Sequence, residues 1–154
     1  MAKQNESGAV GSALKVFSAY YLGLTVVTFA LFAATGLSSN AGVTIAVLMA
    51  SALAASDRYA QLCASQLPRG GDLARLVAGS LILSLILSSA LLVGWLALNG
   101  ISPADLAAQI GLSQIPVGYL VAGGVVMVGF NALALWLGYG PLARFTSRHR
   151  AKRD

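Results

Sequence analysis

Few side chains in this sequence are of types that do chemistry, and their spacing limits what that chemistry is. Asp57 closes an apolar run beside Arg58. An acid there either gates or binds a cation, or forms an interfacial ion pair with Arg75 or Arg144 from a neighbouring segment end. Asn131 is the most polar side chain deep in another apolar run. In hydrocarbon its amide seeks a partner such as Ser84, Ser88 or Thr28, and a substrate contact is the sharper alternative. Ser80, Ser84 and Ser88 recur every four residues, as do Ala46, Ala50 and Ala54, and Gly118 with Ala122. Such small-residue stripes let helix backbones approach closely where no hydrophobic effect drives them together. A pore lined by the three serines is the other reading, and it requires an oligomer.

Other chemistries are missing. The apolar runs contain no Asp, Glu, Lys, Arg or His, the groups on which proton relays, coupled carriers and voltage sensors depend. That argues against a proton-coupled exporter of the small multidrug-resistance type, which needs an acid early in its first span. The lone Cys63 excludes an internal disulfide and any four-cysteine metal site. The lone His149 lies in a polar tail, which excludes bis-histidine haem ligation and leaves no nucleophile–base pair. No glycine pattern suits a phosphate loop. The expectation is a protein without enzymatic activity, cofactor or metal.

The elements that must position these residues follow from hydropathy. Of 154 residues 57% are hydrophobic and 10% charged, against about 25% charged in a soluble domain. Such a chain cannot wet its own surface, so a soluble enzyme, a nucleic-acid-binding domain and a disordered tail are ruled out. Four continuous apolar runs cover 16–37, 41–56, 76–98 and about 115–138. A bilayer core of about 30 Å needs about 20 helical residues. The second run is short, but its helix can continue to Leu62 before Pro68, Gly70 and Gly71 end it. Predicted spans are therefore 16–37, 41–62, 76–98 and 115–138 in a single domain, behind a frayed polar leader over 1–15. The first run is too long for a signal-peptide core of about 7–15 residues and reads as a retained span. Unbroken runs of this length fit helices and not barrel strands.

All ten Lys and Arg fall in the leader, the second connection or the tail. This distribution places both termini and the middle connection in the cytosol. Phe17, Tyr20, Tyr59, Trp136, Tyr139 and Phe145 then fall near the inner interface, and Trp95 and Tyr119 near the outer one. Ser102-Pro103-Ala104-Asp105 reads as a helix start, with a capping hydroxyl, proline in the first position and an acid in the first turn. It predicts a short helix on the outer face between spans three and four. The tail residues Arg144, Arg148, Arg150, Lys152 and Arg153 suit anionic lipid headgroups or a cytosolic partner protein. The fold class expected is all-α: a transmembrane four-helix bundle, up-down-up-down, with both ends inside.

Several local motifs resemble a known family. They are Ala41-Gly42-Val43-Thr44-Ile45 through Asp57-Arg58-Tyr59, then Leu67-Pro68-Arg69, Asp72-Leu73-Ala74-Arg75, and Gly138-Tyr139-Gly140 to Arg144. Together they resemble the ABZJ family of small four-span bacterial membrane proteins. Asp72 stands where that family would have Glu. The resemblance implies location and architecture and assigns no site residues. The sequence thus points to a small integral protein of a bacterial inner membrane. It would act as an accessory or assembly protein, packing against itself or a larger complex and binding no nucleic acid. The alternative is an oligomeric passive carrier or channel for a small solute.

Overall fold

The computed structural model describes residues 2–36, 41–63 and 66–150. Four long helices dominate it: α1 (Ala2–Thr35), α2 (Ala41–Leu62), α3 (Gly70–Leu98) and α5 (Val117–Leu137). A short α4 (Pro103–Gln109) precedes α5, and α6 (Ala143–Arg150) follows it after a π turn over Gly138–Leu142. No strand occurs among the described residues. Four helical segments are long and apolar enough to cross a membrane, which makes the chain an all-α, multi-pass membrane protein. Helix is the form these runs must take, because in lipid each backbone N–H and C=O has to find its partner within its own segment.

The four long helices alternate in direction. We call the end that holds both termini and the α2–α3 connection basal, and the opposite end distal. Around the bundle, α1 adjoins α2 and α3, and α5 adjoins the same two helices. The diagonals are therefore α1 with α5 and α2 with α3. This order makes α1 and α3 parallel neighbours. Leu14 lies against Gly79, where an added Cβ would come within 3.0 Å of its Cδ1. About two turns further along both helices, Tyr21 meets Ser88. The α2–α3 connection consequently crosses the basal end diagonally, and Pro68 is buried beneath it.

Two boundaries differ from the sequence expectation. The polar leader is helical from Ala2 onward, and Ala9, Val10 and Ala13 are buried in the core. Small apolar residues at helical spacing let that segment dock, which its polar composition concealed. At the other end, the fourth span continues past Gly138. Pro141 lacks the N–H needed for an α-helical bond, and the chain widens into a π turn there before resuming as α6. Arg144 lies on the first turn of α6 and is exposed. Arg148 and Arg150 belong to α6 as well, while Lys152 and Arg153 lie outside the described residues.

The short distal helix forms as its sequence dictates. Ser102 Oγ accepts from Asp105 N–H at 3.1 Å, and the Asp105 carboxylate accepts from Ser102 N–H at 3.3 Å. This capping box satisfies two donors that the helix start would otherwise leave open. Gly36, at a φ of 68°, ends α1 in the left-handed region that favours glycine.

Candidate functional site: a hydroxyl-lined hollow in the distal half

The basal half is closed. Phe17, Leu48, Leu76, Leu135 and Tyr139 are among its fully buried side chains. Gly138 permits the tightest helix contact: a Cβ there would sit 2.7 Å from Ala52 Cβ. One buried pair of hydroxyls links two helices, with Tyr139 Oη 2.6 Å from Ser80 Oγ. At the basal rim the Tyr59 hydroxyl donates to Asp72 Oδ2 at 2.7 Å, linking the end of α2 to the start of α3. Arg58 bridges α2 and α1 through Nε to Ser12 Oγ at 3.3 Å. Such pairings matter in a membrane protein because an unpaired polar group in a dry interior costs on the order of several kcal/mol.

The distal half is open. Every residue of 117–130 in α5 is exposed on all faces of the helix. Between α1 and α3 lies an apolar cleft of about 680 Å³, bounded by Val26, Phe29, Leu91 and Trp95. Between α1 and α2, with Ser88 of α3 at its edge, lies a smaller hollow of about 190 Å³. Tyr21, Thr25, Thr28 and Phe32 line its α1 side at spacings of four, three and four residues, one stripe on a helix. Thr44 and Val47 line its α2 side.

Tyr21 Oη lies 2.7 Å from Ser88 Oγ. The Tyr21 ring stacks on Phe17, with centroids 5.7 Å apart and planes inclined by 10°. This stack links the hollow to the closed core. Three other hydroxyls on α1 and α2 bond backward to their own backbone, while Ser56 Oγ is buried with no partner among the described residues. Ser18 donates to Leu14 C=O at 3.0 Å, Thr35 to Leu31 C=O at 2.7 Å, and Ser51 to Val47 C=O at 2.7 Å. Thr25 and Thr28 make no such bond among the described residues. With Thr44 they line a space whose described lining has no charged side chain.

The residues singled out by sequence fall into distinct places. Ser80 and Ser84 are buried on α3, Ser80 against Tyr139 and Ser84 donating to Leu81 C=O at 2.9 Å. Ser88 is exposed at the edge of the hollow, so the serine stripe runs from core to cleft. The alanine stripe on α2 is displaced from expectation. Ala46 and Ala50 are exposed and Ala54 is half-buried, while Leu48, Ala52, Ala55 and Tyr59 form the packed face. The small residues that meet other helices are Ser51, Ala52, Ala55 and Ser56, on a face rotated from the expected stripe. Asn131 is half-buried and makes no hydrogen bond with Ser84, Ser88 or Thr28 among the described residues. Arg75, expected opposite Asp57, lies 3.6 Å from Asp72 of its own helix. Asp57 and Arg144 each have an interaction partner. Phe17, Tyr59 and Tyr139 are interior residues and not part of an interfacial belt, whereas Tyr20, Trp95, Tyr119, Trp136 and Phe145 are exposed.

Sequence reasoning missed Tyr21, Thr25 and Thr44 and used Thr28 only as a partner for Asn131. The signal was present in the helical spacing of Tyr21, Thr25 and Thr28 in the first run, with Phe32 on the same face. No family model, no curated protein and no solved structure matches this chain.

Proposed function

We propose that this protein is a non-enzymatic accessory or assembly component of a bacterial inner membrane, with both termini in the cytosol. The observation that supports this reading is the distal stretch of α5. Residues 117–130 are all exposed within their own chain, Val117, Tyr119, Val125 and Met127 by more than 60%. Four glycines there, Gly118, Gly123, Gly124 and Gly129, leave open space where a Cβ would stand. Close approach of a second helix is the use membrane proteins make of such surfaces. The orientation rests on charge: Lys15, Arg58, Arg69, Arg75 and Arg144 occur at the basal end or in the segments joining it, the pattern of a cytosol-facing side. The resemblance to the ABZJ family gives the same architecture, and we propose membership in it.

The test uses Ala122→Cys in a Cys63→Ser background, oxidised in native membranes, together with native mass measurement of the extracted protein. A disulfide-linked pair, or a larger complex of defined mass, is the expected result. A monomer under both conditions refutes the reading. A second reading, an oligomeric passive carrier, is favoured by the hydroxyl-lined hollow. Flux of small solutes through proteoliposomes, reduced by Asn131→Leu or Ser84→Leu, would support it, and absence of flux would remove it.

A further inference from the structure

We propose that the hollow between α1, α2 and Ser88 is a binding site for a small uncharged polyol of roughly glycerol size. The inference goes beyond the assembly reading and holds whether or not the chain moves anything across the membrane.

Three observations converge on it. The first is the contrast among hydroxyls. Ser18, Thr35 and Ser51 satisfy themselves on their own helix backbone, the usual resort of such residues in apolar surroundings. Thr25 and Thr28 make no such bond among the described residues, and with Thr44 they line one space. A hydroxyl both donates and accepts, so a set of three matches another set of hydroxyls without needing charge.

The second observation is electrostatic. No Asp, Glu, Lys, Arg or His borders the hollow. An ion entering it would lose hydration without a countercharge, which is prohibitive in a medium of low dielectric. A neutral molecule avoids that cost, and the Phe32 ring offers its carbon skeleton an apolar wall.

The third is size and depth. A volume of about 190 Å³ is room for several water molecules at roughly 30 Å³ each, enough to admit a solute of glycerol size. Thr44 lies in the first turn of α2, close to the distal surface, while Tyr21 and Ser88 lie deeper. The hydroxyls therefore run from the surface inward, and the Phe17–Tyr21 stack closes the inner end.

The experiment is saturation-transfer NMR with glycerol on the full chain in lipid nanodiscs, read against empty nanodiscs. Glycerol is expected to show transfer that Thr25→Val and Thr28→Val each weaken about tenfold, the effect of one hydrogen bond lost in a dry site. Thr35→Val, outside the hollow, is expected to bind as the unaltered protein does. Thr44→Trp, which fills the space, is expected to abolish the signal, and circular dichroism checks that each variant remains helical. The proposal is overturned by transfer no greater than that of empty discs. It is equally overturned if Thr35→Val weakens binding as much as Thr25→Val does, or if Thr44→Trp leaves it intact.

Discussion

The basal and distal halves of this bundle are both rich in apolar side chains, yet they behave as different materials. In the basal half Phe17, Leu48, Leu76 and Leu135 are fully buried and Tyr139 is bonded to Ser80. In the distal half Phe29, Val121, Val125 and Phe130 are all more than half exposed. Hydropathy does not distinguish the two, because a lipid tail is as apolar as a leucine side chain. The difference lies in shape. Gly138 against Ala52, and Gly79 against Leu14, bring the basal backbones close. No comparable contact occurs at Gly118, Gly123, Gly124 or Gly129. Association inside a membrane follows close packing and paired polar groups, and apolarity alone leaves helices apart.

The sharpest way to break this contrast is to truncate one aromatic in each half. Phe17→Ala removes a fully buried ring and is expected to cost about 3–5 kcal/mol. Phe29→Ala, at a side chain 59% exposed, should change stability by less than about 0.5 kcal/mol. Unfolding titrations in mixed micelles give both values, and equal losses would erase the distinction. Next in size is Gly138→Ala, which forces a methyl against Ala52 and should destabilise by about 1–3 kcal/mol.

Tyr139→Phe tests the polar pairing. It strands the buried Ser80 hydroxyl, and the loss expected for such an interhelical bond is about 0.6–1.7 kcal/mol. Ser80→Ala together with Tyr139→Phe should recover part of that loss, because no orphaned partner remains. The smallest effect belongs to the distal half. Gly124→Ala meets no atom of its own chain within 4 Å, so in the isolated chain in micelles it should be neutral or stabilise the helix by up to about 1 kcal/mol. Strong destabilisation by Gly124→Ala would mean that this surface is packed against something in the membrane.

Particular elements show how far the sequence could be read. The capping box at Ser102 and Asp105 was legible because it depends only on residues three apart. The spans were legible because hydropathy is local. The π turn at Pro141 was not, since proline also ends helices, and here the packing of Tyr139 holds the segment in line. Ala46 and Ala50 were legible as a stripe but not as an outward one, because periodicity gives a face without saying what it meets. Thr25, Thr28 and Thr44 belong to two helices. Their convergence depends on how α1 and α2 are rotated about their own axes.

By itself the sequence determined that these segments are helical, that they are long enough to cross a bilayer, and that their positive charge lies toward one end. Each follows from the solvation of individual residues, which needs no neighbour in space. The tertiary structure alone decided that α1 and α3 run side by side, that the leader joins the core, and that one half closes while the other stays open. Those outcomes depend on which surfaces interlock, and lipid exerts no preference of its own among apolar faces.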